Sequence, residues 1–282
     1  MQRRHLTILL VILATEIVIR AALIWHAGPM TDQGFYGDDS YMSHQFAATI
    51  AAGGSITQAG ANSNGFQPLF VFLLVPFYWF LDIYQATVAS AILTNAFSIA
   101  GSYFLFLILR DVINTRVGLI GMGLWAVSAH LTRVGVNGLE TSLANTLMLL
   151  VVYLHERSKR AEPSFGVIRG AALGLVAGLA LLARMDLGLL LLPLGLDQIR
   201  VRFARRQSAA LASVVLVGAM TILPWFAWSW RACGTVIPIS GAATRTVAQL
   251  YGSPTGPSAT PAYFPIGQVP GVYYTSNLSH AA

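Results

Sequence analysis

Cysteine is almost missing from this chain of 282 residues, where Cys233 stands alone. A single thiol excludes an intramolecular disulfide and a cysteine-based zinc cluster. The six histidines are scattered, which argues against a metal site built on them. Charge is scarce as well: 10% of residues carry it, against about 25% in soluble domains, and only 11 are acidic. No internal repeat and no low-complexity tract is present. Segments of about ten alternating residues, the mark of a membrane β-barrel, are also lacking.

Apolar residues fill the space. They make up 55% of the chain, and the mean hydropathy is +0.64. Apolar runs occupy 6–25, 67–82, 86–109, 117–135, 139–154, 166–183, 185–197 and 208–230. Several approach the roughly 20 residues that cross a bilayer as a helix. The composition predicts an all-α polytopic membrane protein with membrane lipid as its surroundings. The net charge of +6 comes from basic clusters between runs, "HERSKR" (155–160) and "RVRFARR" (200–206). That is the positive-inside pattern of cytoplasmic loops, so no nucleic-acid partner is implied.

"MQRRH" followed by Leu6–Trp25, with no small-residue cleavage site, reads as an uncleaved first spanning helix whose N-terminus is cytoplasmic. If every later run crossed, both basic clusters would lie outside. The expected exception is 67–82, which is short and contains Pro68 and Pro76. Residues 28–66, 136–141, "ARMD" and the tail then share the extracytoplasmic side of a plasma or inner membrane. Inside the first loop Met42, Phe46 and Ile50 form one apolar stripe flanked by Ser43, His44 and Gln45. That spacing predicts a helix lying in the membrane interface, ended by Gly53 and Gly54.

Two further features are read as structural. Gly170, Gly174 and Gly178 share a helix face and predict close helix packing in lipid rather than nucleotide binding. Glu16 and Arg20, four residues apart in the first run, can neutralise each other. The chain divides into a helical module, 1–230, and a tail, 231–282, rich in Gly, Pro, Ser, Thr and Tyr, which predicts an irregular or partly ordered segment.

The chemistry is expected at the adjacent acids Asp38 and Asp39, which open the interfacial helix. One acid there caps a helix and suits the positive end of its dipole. A second adds repulsion and is explained by a general base whose partner raises its pKa or holds a cation. Downstream, "NSNGFQPLF" (62–70) places Asn64 in a turn and Gln67 before the proline that opens the next run.

In order along the chain, "GDDSY", "NGFQPLF", "NGLETSL", "LARMD" and "PW…FAWSWRACGTVIPIS" resemble the GT-C glycosyltransferases, from about Arg3 to Ser240. These are polytopic enzymes that take sugars from polyprenyl-phosphate donors, such as protein O-mannosyltransferases, lipid A aminoarabinose transferases and mycobacterial arabinofuranosyltransferases. The resemblance implies a GT-C-like helical bundle in which Asp38 is the base that activates an acceptor hydroxyl and Asp39 supports it. The acceptor would be an envelope glycan, a lipid or a protein. Arg184 matches the position where relatives carry a basic residue, and so implies a contact to the departing phosphate. Pairing of Arg184 with Asp186, or a reach to the interface, is the alternative. Arg133 is a second cation, with Arg231 and Arg245 weaker ones. Glu140, Asn64 and Gln67 are the substrate-binding candidates. No cofactor is called for with certainty, and a divalent cation stays open.

Relatives usually continue with more helices and often a soluble domain. This chain ends in a loop, which leads to the expectation of a short variant or of an incomplete chain. Two other functions stay open on the residues alone: a transporter or flippase for lipid-linked sugars, and an inactive fragment or accessory subunit.

Overall fold

The computed structural model describes residues 3–27, 36, 38–58, 61–160 and 166–238, with the side chains of Ala27, Asp38, Gln58 and Ala61 outside the description. Among these residues the chain is helical, apart from turns and one hairpin of two-residue strands, β1 (Thr57–Gln58) and β2 (Ala61–Asn62). Three helices are long and apolar enough to cross a membrane: α1 (Arg3–Ala27), α4 (Ile83–Val112) and α10 (Ser208–Cys233). A bent pair, α5 (Thr115–Ala126) with α6 (Ala129–Val134), makes up a fourth candidate. Between them lie α2 (Asp38–Ala51), α3 (Pro68–Phe80), α7 (Thr141–Arg160), α8 (Val167–Ala183) and α9 (Gly188–Ala204), with a 3-10 turn at Met185–Leu187.

Local chemistry sets the helix starts. Asp82 accepts from the Gln85 backbone at 2.8 Å, and Gln85 answers in a capping box, so α4 begins where "LDIYQ" interrupts the apolar pattern. Asn114 caps α5 at 3.0 Å, and Ser128 caps α6 at 3.4 Å. The Ser128 cap marks the break in the run read as continuous over 117–135: the two halves meet at 57°. The sequence hid this break because Ser128 is small and flanked by Val127 and Ala129, and its competition for backbone N–H groups is a local effect that hydropathy does not weigh.

The run 67–82 becomes α3, which at 13 residues is about 20 Å long and shorter than the roughly 30 Å hydrocarbon core. Pro68 takes its first turn, where a missing N–H costs nothing. Both basic clusters are mostly helical rather than looped, since α7 runs to Arg160 and α9 to Ala204. Arg157, Arg160 and Arg200 are exposed on these helices, while Arg202 is buried and bonded to Gln198 and Ser158. The helix expected to end at 230 continues to Cys233, where Gly234 at φ +71° closes it. Residues 239–282, with Arg245, lie outside the described part; Arg231 is exposed near the end of α10.

The glycine stripe packs as its spacing predicts. Gly170 lies against Ala210 and Ser213, Gly174 against the Val214 backbone, and Gly178 against Thr221, all on α10. Added bulk has nowhere to go, because the facing atoms at Gly174 are backbone. Gly174→Leu is therefore expected to separate α8 from α10 and to lower the thermal midpoint in detergent by several degrees, as for an overpacked core. An unchanged midpoint would show that the two helices do not need this approach.

Contacts sort the helix ends into two groups. At one end Tyr36 Oη donates to the Thr87 carbonyl (3.1 Å), Ser40 Oγ to the Asn137 carbonyl (2.5 Å) and Asn62 Nδ2 to the Ala232 carbonyl (3.1 Å). At the other, Asp111 meets Arg110 (2.7 Å) and Arg157 (3.8 Å), and Arg205 donates to the Lys159 carbonyl at 3.1 Å. Both basic clusters fall in the second group.

Candidate functional site

The end that carries α2 collects most of the polar residues singled out from the sequence. Asp38 and Asp39 open α2, placing negative charge in its first turn. Asp39 is exposed; the side chain of Asp38 lies outside the described residues. The Met42, Phe46, Ile50 stripe, expected to face the membrane interface, packs on protein instead: Phe46 is buried in a core with Phe66, Phe70, Leu143, Ala183 and Trp225, and Met42 and Ile50 lie against it. That core brings together the start of α3, the start of α7 and the ends of α8 and α10. Glu140 and Arg184, adjoining α7 and α8, are thereby carried to one place.

Their geometry is direct. Arg184 Nη1 contacts Glu140 Oε1 at 3.2 Å. Its Nε and Nη2 donate to the two carboxylate oxygens of Asp186 at 3.1 and 3.0 Å, a bidentate fork. The pairing with Asp186, drawn as the alternative to a phosphate contact, is present, and Arg184 also faces Glu140, a contact that was not expected. Hydrogen bonding to Asp186 raises the Arg184 pKa further, and the same bond holds Asp186 below its ordinary value. Burial raises the Glu140 pKa, with Asp39 and Asp186 adding to the rise and Arg184 opposing it. Asp39 is therefore close enough to be felt by Glu140. Two carboxylates, Glu140 and Asp186, share one guanidinium, so the cluster is net negative when both are ionised. It favours cations and hydroxyl donors, and a phosphate taking the fork of Arg184 has to displace the exposed Asp186.

The other candidates sit as follows. Asn64 is buried and donates its amide to the carbonyls of Thr235 (3.1 Å) and Ile237 (3.3 Å), tying the loop after β2 to the exit of α10. Gln67 is the residue before α3; its Oε1 is buried without a hydrogen-bond partner among the described residues, leaving an acceptor for an incoming donor. Arg133 is exposed on α6, and none of the bonds described for Glu140 or Arg184 involves it. Among the described residues no three of the His, Cys, Asp and Glu side chains are grouped to hold a metal ion.

One group escaped the sequence reading. Ser43 and His44, expected on the polar flank of an interfacial helix, are buried, while Gln45 is exposed. His44 Nδ1 lies 2.6 Å from Tyr78 Oη on α3, and its ring centroid lies 5.5 Å from that of Tyr36 with the planes tilted by 31°. Tyr36 is itself pressed against Gly138, where φ is +69° and a Cβ would sit 2.6 Å from the ring. The correction has a physical cause: α2 is enclosed by protein on two sides, and hydropathy cannot see a polar side chain's partner. The one available signal is the spacing of Tyr36, Ser40 and His44, which repeats every four residues.

Burial pushes the His44 pKa down from 6.5 to about 4. Below pH 6.5 the unfolded chain binds a proton that the folded chain refuses, so stability falls as pH drops through this window. Unfolding midpoints in detergent are expected to decline from pH 7 toward pH 4.5. His44→Gln should flatten that decline, and an identical slope in the variant would remove His44 as its source.

Compared with known proteins, the chain matches no family model, no curated protein and no solved structure.

Proposed function

We propose that this protein is a membrane glycosyltransferase of GT-C type, moving a sugar from a polyprenyl-phosphate donor to an extracytoplasmic acceptor. The observation that carries the reading is the contact of Glu140 with Arg184, 44 residues apart and 3.2 Å from each other, at the end of the bundle where Asp38 and Asp39 open α2. An acceptor hydroxyl attacking an anomeric carbon needs its proton removed by a carboxylate in hydrogen-bond reach, the role given to Asp38 with Asp39 in support. The leaving phosphate needs positive charge, the role given to Arg184. Glu140, raised by burial, suits a hydrogen bond to a sugar hydroxyl. The basic clusters at the opposite end support an outer-face site through the positive-inside rule. A transporter would want unsaturated ionisable groups inside the membrane. Glu16 and Arg20 instead bind each other and side chains of α4.

The test offers radiolabelled polyprenyl-phosphate sugars to membranes containing the protein. Transfer above that of empty membranes is expected; uptake without covalent transfer would favour the transporter. Arg184→Lys should fold normally but weaken donor use, since an ammonium cannot form the guanidinium fork. Arg184→Ala should raise the donor KM on the order of ten- to a hundredfold, as for a lost charged hydrogen bond. Asp186→Asn, which frees the fork, should lower it. Equal donor KM in all three variants would move the phosphate away from Arg184.

A further inference from the structure

The far end of the bundle carries a second feature. Helix α9 is built with its polar side chains inside and its apolar ones outside. Gln198 and Arg202 are buried and fasten it to α7: Gln198 Nε2 lies 2.8 Å from His155 Nδ1, and Arg202 Nη2 lies 2.9 Å from Ser158 Oγ. On the outer face Leu196, Ile199 and Phe203 are 59%, 48% and 82% exposed. Their spacing puts Arg200, also exposed, on the same face, so the apolar stripe ends in a guanidinium. Arg206 follows in the turn to α10 at φ 54°, a conformation that glycine adopts freely and arginine does not. Such an outlier points to a use for the side chain held there. The carboxylates described at this end are engaged elsewhere: Asp111 by Arg110 (2.7 Å), Glu156 by Lys159 (2.7 Å) and Asp197 by His155 (2.9 Å).

An apolar stripe bounded by two exposed cations matches a molecule with an anionic head and a hydrocarbon tail. We propose that the α9–α10 turn binds the phosphate headgroup of an anionic phospholipid, with Arg200 and Arg206 on the headgroup and an acyl chain along Leu196, Ile199 and Phe203. The site lies opposite the sugar-transfer cluster and does not depend on that reading.

The full chain, reconstituted in nanodiscs of equal phosphatidylglycerol and phosphatidylcholine and then released, is examined by native mass spectrometry for retained lipid. Phosphatidylglycerol should be enriched in the parent. Arg200→Gln and Arg206→Gly should each cut that enrichment about fivefold. Because glycine relieves the backbone at 206, Arg206→Gly should keep or raise the thermal midpoint, which separates loss of lipid from loss of fold. Arg3→Gln, at the same end but outside the turn, should leave the enrichment unchanged. Equal retention of both lipids by the parent overturns the proposal, as does full enrichment in a variant carrying both Arg200→Gln and Arg206→Gly. So does an equal loss in Arg3→Gln, which would mean diffuse charge, or removal of the enrichment by millimolar inorganic phosphate, which would mean a site for the free anion.

Discussion

Membranes carrying Asp38→Asn are expected to transfer sugar about 10²–10⁴-fold more slowly than the parent, the usual cost of removing a general base. Asn keeps the size and most of the hydrogen bonding of Asp but cannot take a proton. The helix should survive the change, because even a lost N-cap costs only about 1 kcal/mol. Insertion and expression are therefore measured alongside turnover. Near-normal transfer by the variant would place the base elsewhere, with Asp39 the next carboxylate to replace. Disappearance of the protein from the membrane would assign the acidic pair to helix initiation. The same substitution at Asp39 should cost less, since its assigned part is support.

Arg20→Ala is expected to destabilise the fold by roughly 3–5 kcal/mol, the range for leaving one member of a buried ion pair without its partner. The reason is how little else holds α1. Of its described side chains only Leu9, Glu16 and Arg20 are buried. Arg20 Nη2 lies 3.0 Å from Glu16 Oε1, Arg20 Nη1 donates to Asn95 Oδ1 at 3.0 Å, and Ser102 Oγ donates to Glu16 Oε2 at 2.7 Å. Asn95 in turn donates to the Gly135 carbonyl at 2.8 Å, joining the first helix to the end of α6. With Arg20 gone, Glu16 is left charged or must take up a proton, and Asn95 loses a donor. The double replacement Glu16→Leu with Arg20→Met removes both charges together and should recover most of the loss. Thermal midpoints of the purified protein in detergent measure both. If Arg20→Ala unfolds at the parental temperature, the network is not what fastens α1; if the double variant is the worse of the two, charge pairing is not the main term.

The all-helical class, the helix that carries the Met42, Phe46, Ile50 stripe, the glycine face of α8 and the Glu16–Arg20 pair were legible in the sequence. All four depend on spacing within one helix, which 3.6 residues per turn fixes without reference to the rest of the chain. Run 67–82 could be singled out for a similar reason: its length and prolines are local facts. Partnership across the chain was not legible. Tertiary structure decided that His44 is buried against Tyr78, that Arg184 meets Glu140 as well as its neighbour Asp186, that Asn64 donates to the carbonyls beyond α10, and that α9 turns its leucines outward. A polar side chain reads the same in sequence whether water or another helix satisfies it. Only the fold, by bringing residues 34 to 173 positions apart within hydrogen-bond distance, fixes which of the two does.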